Sequence, residues 1–255
     1  MAARAFSRWR ASGLHLAISA AVAAGSLALI LGLWFPGPLF EAAGGLGLLY
    51  LLVGVDVVLG PLLTMIVFKP GKPGLKLDVA VIGTLQVAAL AYGFSVVALV
   101  RPAFVVFVVD RFELVSAVDL KPEDLAAARY EEFRSLPWTG PRLAAADVPT
   151  DPGERQRLIQ LALTGIDVQN FPRYYVPYAE RTKQVLAHAV TIERLRVTDP
   201  DTARAVDAWL ASSGTKPDSV RALLLRTRFA WIAVLVDPVT AQPVTYLPGE
   251  RITES

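Results

Sequence analysis

From Leu14 to Trp34 the chain runs for 21 residues without an Asp, Glu, Lys or Arg. At a rise of ~1.5 Å per residue, a helix of that length spans about 31 Å, the thickness of a bilayer's hydrocarbon core. Arg4, Arg8 and Arg10 precede the run, as basic residues precede a secretory signal. The run is longer than the apolar part of such a signal, however, and a second apolar segment follows almost at once, so it reads as an uncleaved anchor. Phe35-Pro-Gly-Pro38 breaks the helix, because proline has no amide hydrogen to donate. Two further spans are predicted. Leu46 to Phe68 is interrupted only by Asp56 and Gly60-Pro61, and Leu77 to Val100 has Asp78 at its mouth and Gln86 and Tyr92 inside. Only nine of the 48 charged residues lie in the first hundred positions, so the two parts of the chain suit different solvents. The expected organisation is a membrane domain over residues 1–101, with spans at about 14–34, 46–68 and 77–100, and a globular domain over residues 102–255.

The short connections set the orientation. The tail before Leu14 carries three Arg, the connection from Phe35 to Gly45 carries no Lys or Arg, and Lys69 to Lys76 carries three Lys. Basic connections stay cytoplasmic. The N-terminus and second connection are therefore expected inside the cell, and residue 101 onward outside it, which is the periplasm in a bacterium with two membranes. The third span meets the next apolar run with no linker, so the globular domain is expected close to the bilayer.

That domain reads as α+β: a small antiparallel sheet with helices packed on it. Ala103 to Asp110 is a β-branched, aromatic run, and Arg111 to Val118 alternates apolar with polar; both predict strands. Helices are predicted from Lys121 to about Arg134, from Glu154 to Thr164 with Gly165 as the stop, and from Tyr178 to Leu195. Another is opened by Asp199-Pro-Asp201 and ended by Gly214. Leu136 to Gly153 reads as a loop. Arg226 to Val236 and Pro243 to Leu247 read as paired strands around the Asp237–Gln242 turn.

Composition excludes several function classes. From Arg101 onward there are 19 basic and 20 acidic residues, which leaves no electrostatic footprint for nucleic acid. There is no Cys, and there are only two His, His15 and His188, with no metal-ligand spacing between them. No phosphate-cradling loop or nucleophile elbow is present. Asp199-Pro-Asp201 resembles an acidic metal pair, but its place before a helical run makes Asp199 an N-cap. Asp56 and Asp78 are separated by roughly 17 Å along the membrane normal, too far for a carboxylate dyad. No enzyme activity and no cofactor are predicted.

Two features suit a partner. Asp56 is an ionisable group near mid-membrane, which is costly to keep there. It serves either to hydrogen-bond the helices to one another or to meet a partner's transmembrane helix. Phe171-Pro-Arg-Tyr-Tyr-Val-Pro-Tyr178 concentrates aromatic residues around an Arg. Its rings either cap the core or face a partner, since Tyr and Arg are favoured at interface hot spots. The candidate contacts are Asp56, Arg173, Tyr174, Tyr175 and Tyr178.

Several segments, in order along nearly the whole chain, carry a resemblance. They are Trp34-Phe-Pro-Gly-Pro-Leu-Phe-Glu-Ala-Ala-Gly-Gly45, Gly54-Val-Asp56, Gly60-Pro-Leu-Leu-Thr64, Phe107-Val-Val-Asp-Arg-Phe-Glu-Leu-Val115, Pro172-Arg-Tyr-Tyr-Val-Pro-Tyr178 and Val234-Leu-Val-Asp-Pro-Val-Thr240. Together they resemble the TfpX/TfpZ family of type IV pilin accessory proteins. The resemblance implies an inner-membrane, chaperone-like assembly protein without a catalytic site. Its partners would be a type IV pilin, through the pilin's transmembrane helix and periplasmic head, and other pilus assembly proteins. The competing readings are a membrane-anchored sensor, a scaffold of the pilus machinery, and a small pilin-modifying enzyme. The cytoplasmic parts are too short to transmit a signal without a partner, and no donor-binding motif supports the enzyme.

Overall fold

The structure, a computed structural model, describes residues 7–45, 47, 49, 50 and 54–251. The chain forms two compact units, one drawn from Met1–Gly32 and Gly44–Leu99, the other from Leu33–Ala43 and Val100–Ser255. Helices α1 (Arg8–Leu29), α3 (Gly60–Val67) and α4 (Leu75–Val100) belong to the first, and α2 (Leu39–Ala42) to the second.

In the first unit, Ser7 caps α1 by accepting the amide of Arg10, and a wide π-helical turn over Ile30–Trp34 extends it. The 27 residues Arg8–Trp34 and the 26 of α4 are each long and apolar enough to cross a membrane. Their flanks are not those of core helices: Leu16, Ile18 and Val22 on one, and Val81, Leu85 and Val87 on the other, are exposed. The span expected over Leu46 to Phe68 falls partly outside the described residues, at positions 46, 48 and 51–53. What is described is a π-helical stretch, Gly54–Leu59, running into α3. Pro61 gives no amide hydrogen to the carbonyl four residues before it, and the wide turn accommodates that gap.

The second unit is built on one seven-stranded sheet. In chain order the strands are β1 (Pro102–Val108), β2 (Arg111–Ser116), β3 (Arg142–Ala146), β4 (Tyr175–Pro177), β5 (Arg221–Arg226), β6 (Ala230–Val236) and β7 (Pro243–Arg251). Their order across the sheet is β4-β3-β1-β2-β5-β6-β7. The α+β class stands, but the antiparallel sheet predicted above is corrected to a mixed one: β1 runs parallel to β3, and β2 parallel to β5. The difference arises because β3, β4 and β5 carry little sequence signal. Arg142-Leu-Ala-Ala-Ala146 was expected as loop, since alanine favours strands poorly. Here Ala144 and Ala145 are fully buried beside β1, where small residues leave room for Phe104, Phe107 and Tyr175.

The sheet is covered on both faces, and the two-residue period of β1 distributes its side chains accordingly. Phe104 and Val106 point into one core with Phe133, Leu158 and Tyr175; Val105 and Phe107 point into another with Phe112, Val185 and Leu225. The helices that cover the sheet are α5 (Pro122–Ala126), α6 (Pro152–Ala162), α7 (Thr182–His188), α8 (Ile192–Thr198) and α9 (Pro200–Ser213). The helix predicted over Tyr178 to Leu195 is broken between α7 and α8, where Val190 forms a bridge to Ala222 of β5. The joint between β2 and β5 is only two residue pairs long, and buried Glu113 reinforces it. Its carboxylate accepts from Arg111 and Arg226, each at 2.9 Å.

The connection after α1 belongs to this unit. Leu39 and Ala42 of α2 lie in the core with Val105, Phe107 and Ile232, and the hydroxyl of Thr227 donates to the Ala42 carbonyl at 2.9 Å. The boundary expected at residue 101 counts Leu33–Ala43 with the membrane domain, largely as the connection between its first two spans, whereas by contact it groups with Val100–Ser255. The segment's apolar side chains place it in the domain instead, where Phe35 and Leu39 are buried.

Candidate functional site

The candidate residues fall in two places, one in each unit.

In the first unit a polar network joins α1, α3 and α4. His15 of α1 contacts the Thr64 hydroxyl through Nδ1 at 2.6 Å and the Gln86 amide oxygen through Nε2 at 2.7 Å. That oxygen can only accept, so His15 Nε2 donates, and a neutral ring then accepts at Nδ1 from the Thr64 hydroxyl. Gln86 Nε2 donates to the backbone carbonyl of Asp56 at 3.2 Å, and Ser12 donates to the carbonyl of Pro61 at 2.9 Å. Gly60 makes this approach possible, because a Cβ there would overlap the Gln86 amide. The expected interhelical role therefore falls to Gln86, Thr64 and His15. The Asp56 backbone takes part, but its carboxylate does not. Asp56 is buried, and its Oδ1 has no hydrogen-bond partner among the described residues. His15 was missed as part of this network. It lies a single residue inside the apolar run, and nothing in its neighbours reveals that Thr64 and Gln86 converge on it.

In the second unit the aromatic segment divides between core and surface. Tyr175 and Tyr178, named above among the candidate contacts, are both core residues, so for these two rings the structure takes the core-capping alternative. Tyr175 packs edge-on against Phe104 and Phe133 and donates its hydroxyl to the carbonyl of Gln169. Tyr178 lies beside Phe112 and donates to the carbonyl of Ala241 at 2.5 Å. Burial pushes both phenols above their ordinary pKa. The physical reason is strand alternation across a covered edge: β4 places Tyr175 inward, and the turn that follows returns Tyr178 to the opposite core.

Arg173 is exposed and Tyr174 is half-buried against the Tyr175 core, both on the single turn Pro172–Tyr174 that leads into edge strand β4. The Arg173 guanidinium carbon lies 5.1 Å from the Phe171 ring centre and 5.3 Å from that of Tyr174. Stacking over two rings orders the arginine before any partner arrives. The turn borders a shallow groove of about 340 Å³, also lined by Arg129, Asp147, Asp151 and Glu154. Asp147 is held by a two-point ion pair with Arg181, with Arg181 Nε on Oδ1 at 2.8 Å and Nη2 on Oδ2 at 2.5 Å. Helix α6 begins at this groove and buries only Leu158. Farther along, Ile159 and Leu163 are exposed at an i, i+4 spacing, and Ile166 beyond the helix end is exposed too. The i, i+4 pair shares one helix face. Sequence reasoning missed it, because Leu158 and Leu161 are equally good candidates for the buried side.

Among the described residues, the acidic pair at 199–201 has a structural role. Asp199 accepts the Thr202 amide at 3.0 Å as the cap of α9, and Asp201 pairs with Arg204. Among the described residues no three His, Asp or Glu side chains are grouped so as to hold a metal.

Comparison with known proteins follows the same lines. The family model described as fimbrial assembly protein FimB matches residues 3–44, which take in α1 and the connection that enters the sheet. The chain is 34% identical over 177 residues to a fimbrial assembly protein of serogroup I from Dichelobacter nodosus, with 68% of each chain covered. It is 33% identical to the serogroup E1 protein over the same length. It is also 38% identical over 120 residues to the protein of serogroups C1 and C2, covering 46% of this chain and 91% of that one. No solved structure matches. A relationship that runs through two thirds of both chains shows that this chain belongs to the fimbrial assembly protein FimB family.

Proposed function

We propose that this protein is an inner-membrane accessory protein of the TfpX/TfpZ kind, which receives a type IV pilin during assembly. Its relatives' description as fimbrial assembly proteins supports a role in fimbrial assembly. The observation that carries the rest is the membership of Leu33–Ala43 in the C-terminal domain. If α4 crosses the membrane, its two ends lie on opposite sides. Residues 33–43 and 100 onward fold together, and so share a side. The chain from residue 44 to 74 must then cross as well, which gives three spans. The connection without Lys or Arg and the C-terminal domain then both lie outside the cytoplasm, in agreement with the charge bias.

A pilin before assembly has the same layout, an apolar helix in the membrane and a head outside it. Two contacts follow. Asp56 Oδ1, without a hydrogen-bond partner among the described residues, offers a polar contact to the pilin helix, because an unsatisfied buried acceptor gains from a donor. The stacked Arg173 and Tyr174 offer a preordered contact to the pilin head.

The test is site-specific photocrosslinking at position 174 in cells, with Asp56→Leu and Arg173→Ala/Tyr174→Ala variants compared for piliation. Crosslinks to pilin are expected, with surface pili lost in both variants at unchanged protein level. Normal piliation in both variants, with no pilin crosslink, would rule the reading out.

A further inference from the structure

We infer that the loop Leu136–Pro141 is a membrane-surface anchor, with Trp138 seated in the phospholipid headgroup layer beside the ends of two spans. The inference rests on the membrane reading above and adds a contact it does not contain. Trp138 is 80% exposed, an unusual state for the largest apolar side chain, yet its loop is firmly held. The Trp138 carbonyl accepts the indole N–H of Trp34 at 3.0 Å. The amide of Gly140 donates to the carbonyl of Leu33, and φ of +40° at Gly140 is one that a glycine adopts without cost. The Arg101 guanidinium carbon lies 5.8 Å from the Trp34 ring centre and 5.9 Å from that of Trp138, and Arg101 also reaches the Pro137 carbonyl.

The positions of these partners in the chain identify the occupant. Leu33 and Trp34 are the last residues of the first apolar helix, and Arg101 is the first residue after α4. Where those helices leave a bilayer, Leu33, Trp34 and Arg101 lie at its surface, and whatever is hydrogen-bonded to them lies there too. Trp138 is bound to that level with its side chain largely exposed. Indole suits this layer because its ring is apolar while its N–H can reach phosphate or water, and arginine beside it faces the phosphate. The loop thus ties the domain to the membrane at a third point, besides its two covalent junctions.

The test uses full-length protein in phosphatidylcholine vesicles with acyl chains brominated near the headgroup, and reads tryptophan emission. Subtracting the Trp138→Phe spectrum from that of the wild type isolates Trp138, and subtracting Trp209→Phe isolates a control on α9. The expected result is strong loss of the Trp138 component, with a blue-shifted maximum, and no loss of the Trp209 component. If the protein floats with vesicles and emission is quenched overall, yet the Trp138 component is unquenched, the anchor is refuted while the membrane reading survives. If the protein does not float with vesicles and no component is quenched, both fall together. A Trp138→Phe variant that fails to fold is replaced by wild-type protein spin-labelled at a Thr139→Cys site. The label's broadening by a water-soluble paramagnet should then drop on vesicle binding, and unchanged broadening overturns the inference.

Discussion

Replacing Leu39 with Ala tests whether the connection between two apolar helices is structurally part of the C-terminal domain. Leu39 is fully buried, in a core that includes Phe107, Phe112 and Leu225. Leu→Ala at such a site loses the transfer free energy of the removed carbons and leaves a cavity, together about 3 kcal/mol. A domain of this size loses about 2–4 °C of Tm per kcal/mol, so a fall of about 6–12 °C is expected. The assay is a thermal scan of full-length protein in a mild detergent, followed by tryptophan emission and repeated at two heating rates, because membrane proteins often unfold irreversibly. Leu225→Ala, in the same core and fully buried, gives the scale. Val239→Ala, on the exposed β6–β7 turn, should stay within about 2 °C of the wild type. If Leu39→Ala also stays within about 2 °C while Leu225→Ala falls as expected, α2 does not pack into the sheet. The inference that residues 33–43 and 100 onward share a side of the membrane then goes with it.

Gln86→Leu should remove the hydrogen bonds to His15 and to the Asp56 carbonyl, lowering stability by about 1–3 kcal/mol as read from an SDS titration midpoint in mixed micelles. His15→Leu should cost a similar amount, and the double variant less than the sum of the two; strict additivity would show that the pair is not coupled. At the β6–β7 turn, Asp237 accepts from the amides of Thr240 and Val239 and from the Thr240 hydroxyl, and these bonds hold its carboxyl below the ordinary carboxylate range. Since the folded pKa is the lower one, the turn's stabilisation is complete above the unfolded value and is lost only as pH falls through the folded one. Carboxyl-carbon NMR should give Asp237 a midpoint below that of an unstructured aspartate, and Asp237→Asn should abolish the acid-dependent change in the Thr240 amide signal.

Much of the domain's outline was legible where one residue dominates its local energetics. Asp199 caps α9 and Gly214 ends it with φ of +69°, as the sequence implied, because caps and left-handed turns depend on the single residue that occupies them. β1, β2 and β6 announced themselves by β-branched and aromatic runs. β3 did not, because its alanines are chosen by the bulk of Phe104 and Tyr175 on strands far away in sequence. The aromatic segment at 171–178 was visible as a cluster, but composition could not say which ring goes inward. Strand alternation sends Tyr175 into the core, and a three-residue turn leaves Arg173 exposed and Tyr174 half-buried.

By itself the sequence determined two apolar helices of membrane-crossing length, the charge bias of the connections and the α+β class of the C-terminal domain. Each of these follows from residues summed along a single segment. Only the tertiary structure decided that the sheet is mixed, that Leu39 completes its core, and that His15, Thr64 and Gln86 share one network around the Asp56 backbone. Those facts depend on pairs of residues 30 to more than 100 positions apart, as between Asp56 and Gln86 or Ala42 and Thr227. Such contacts form because burial rewards shape and hydrogen-bond complementarity at contact distance, which no local pattern records.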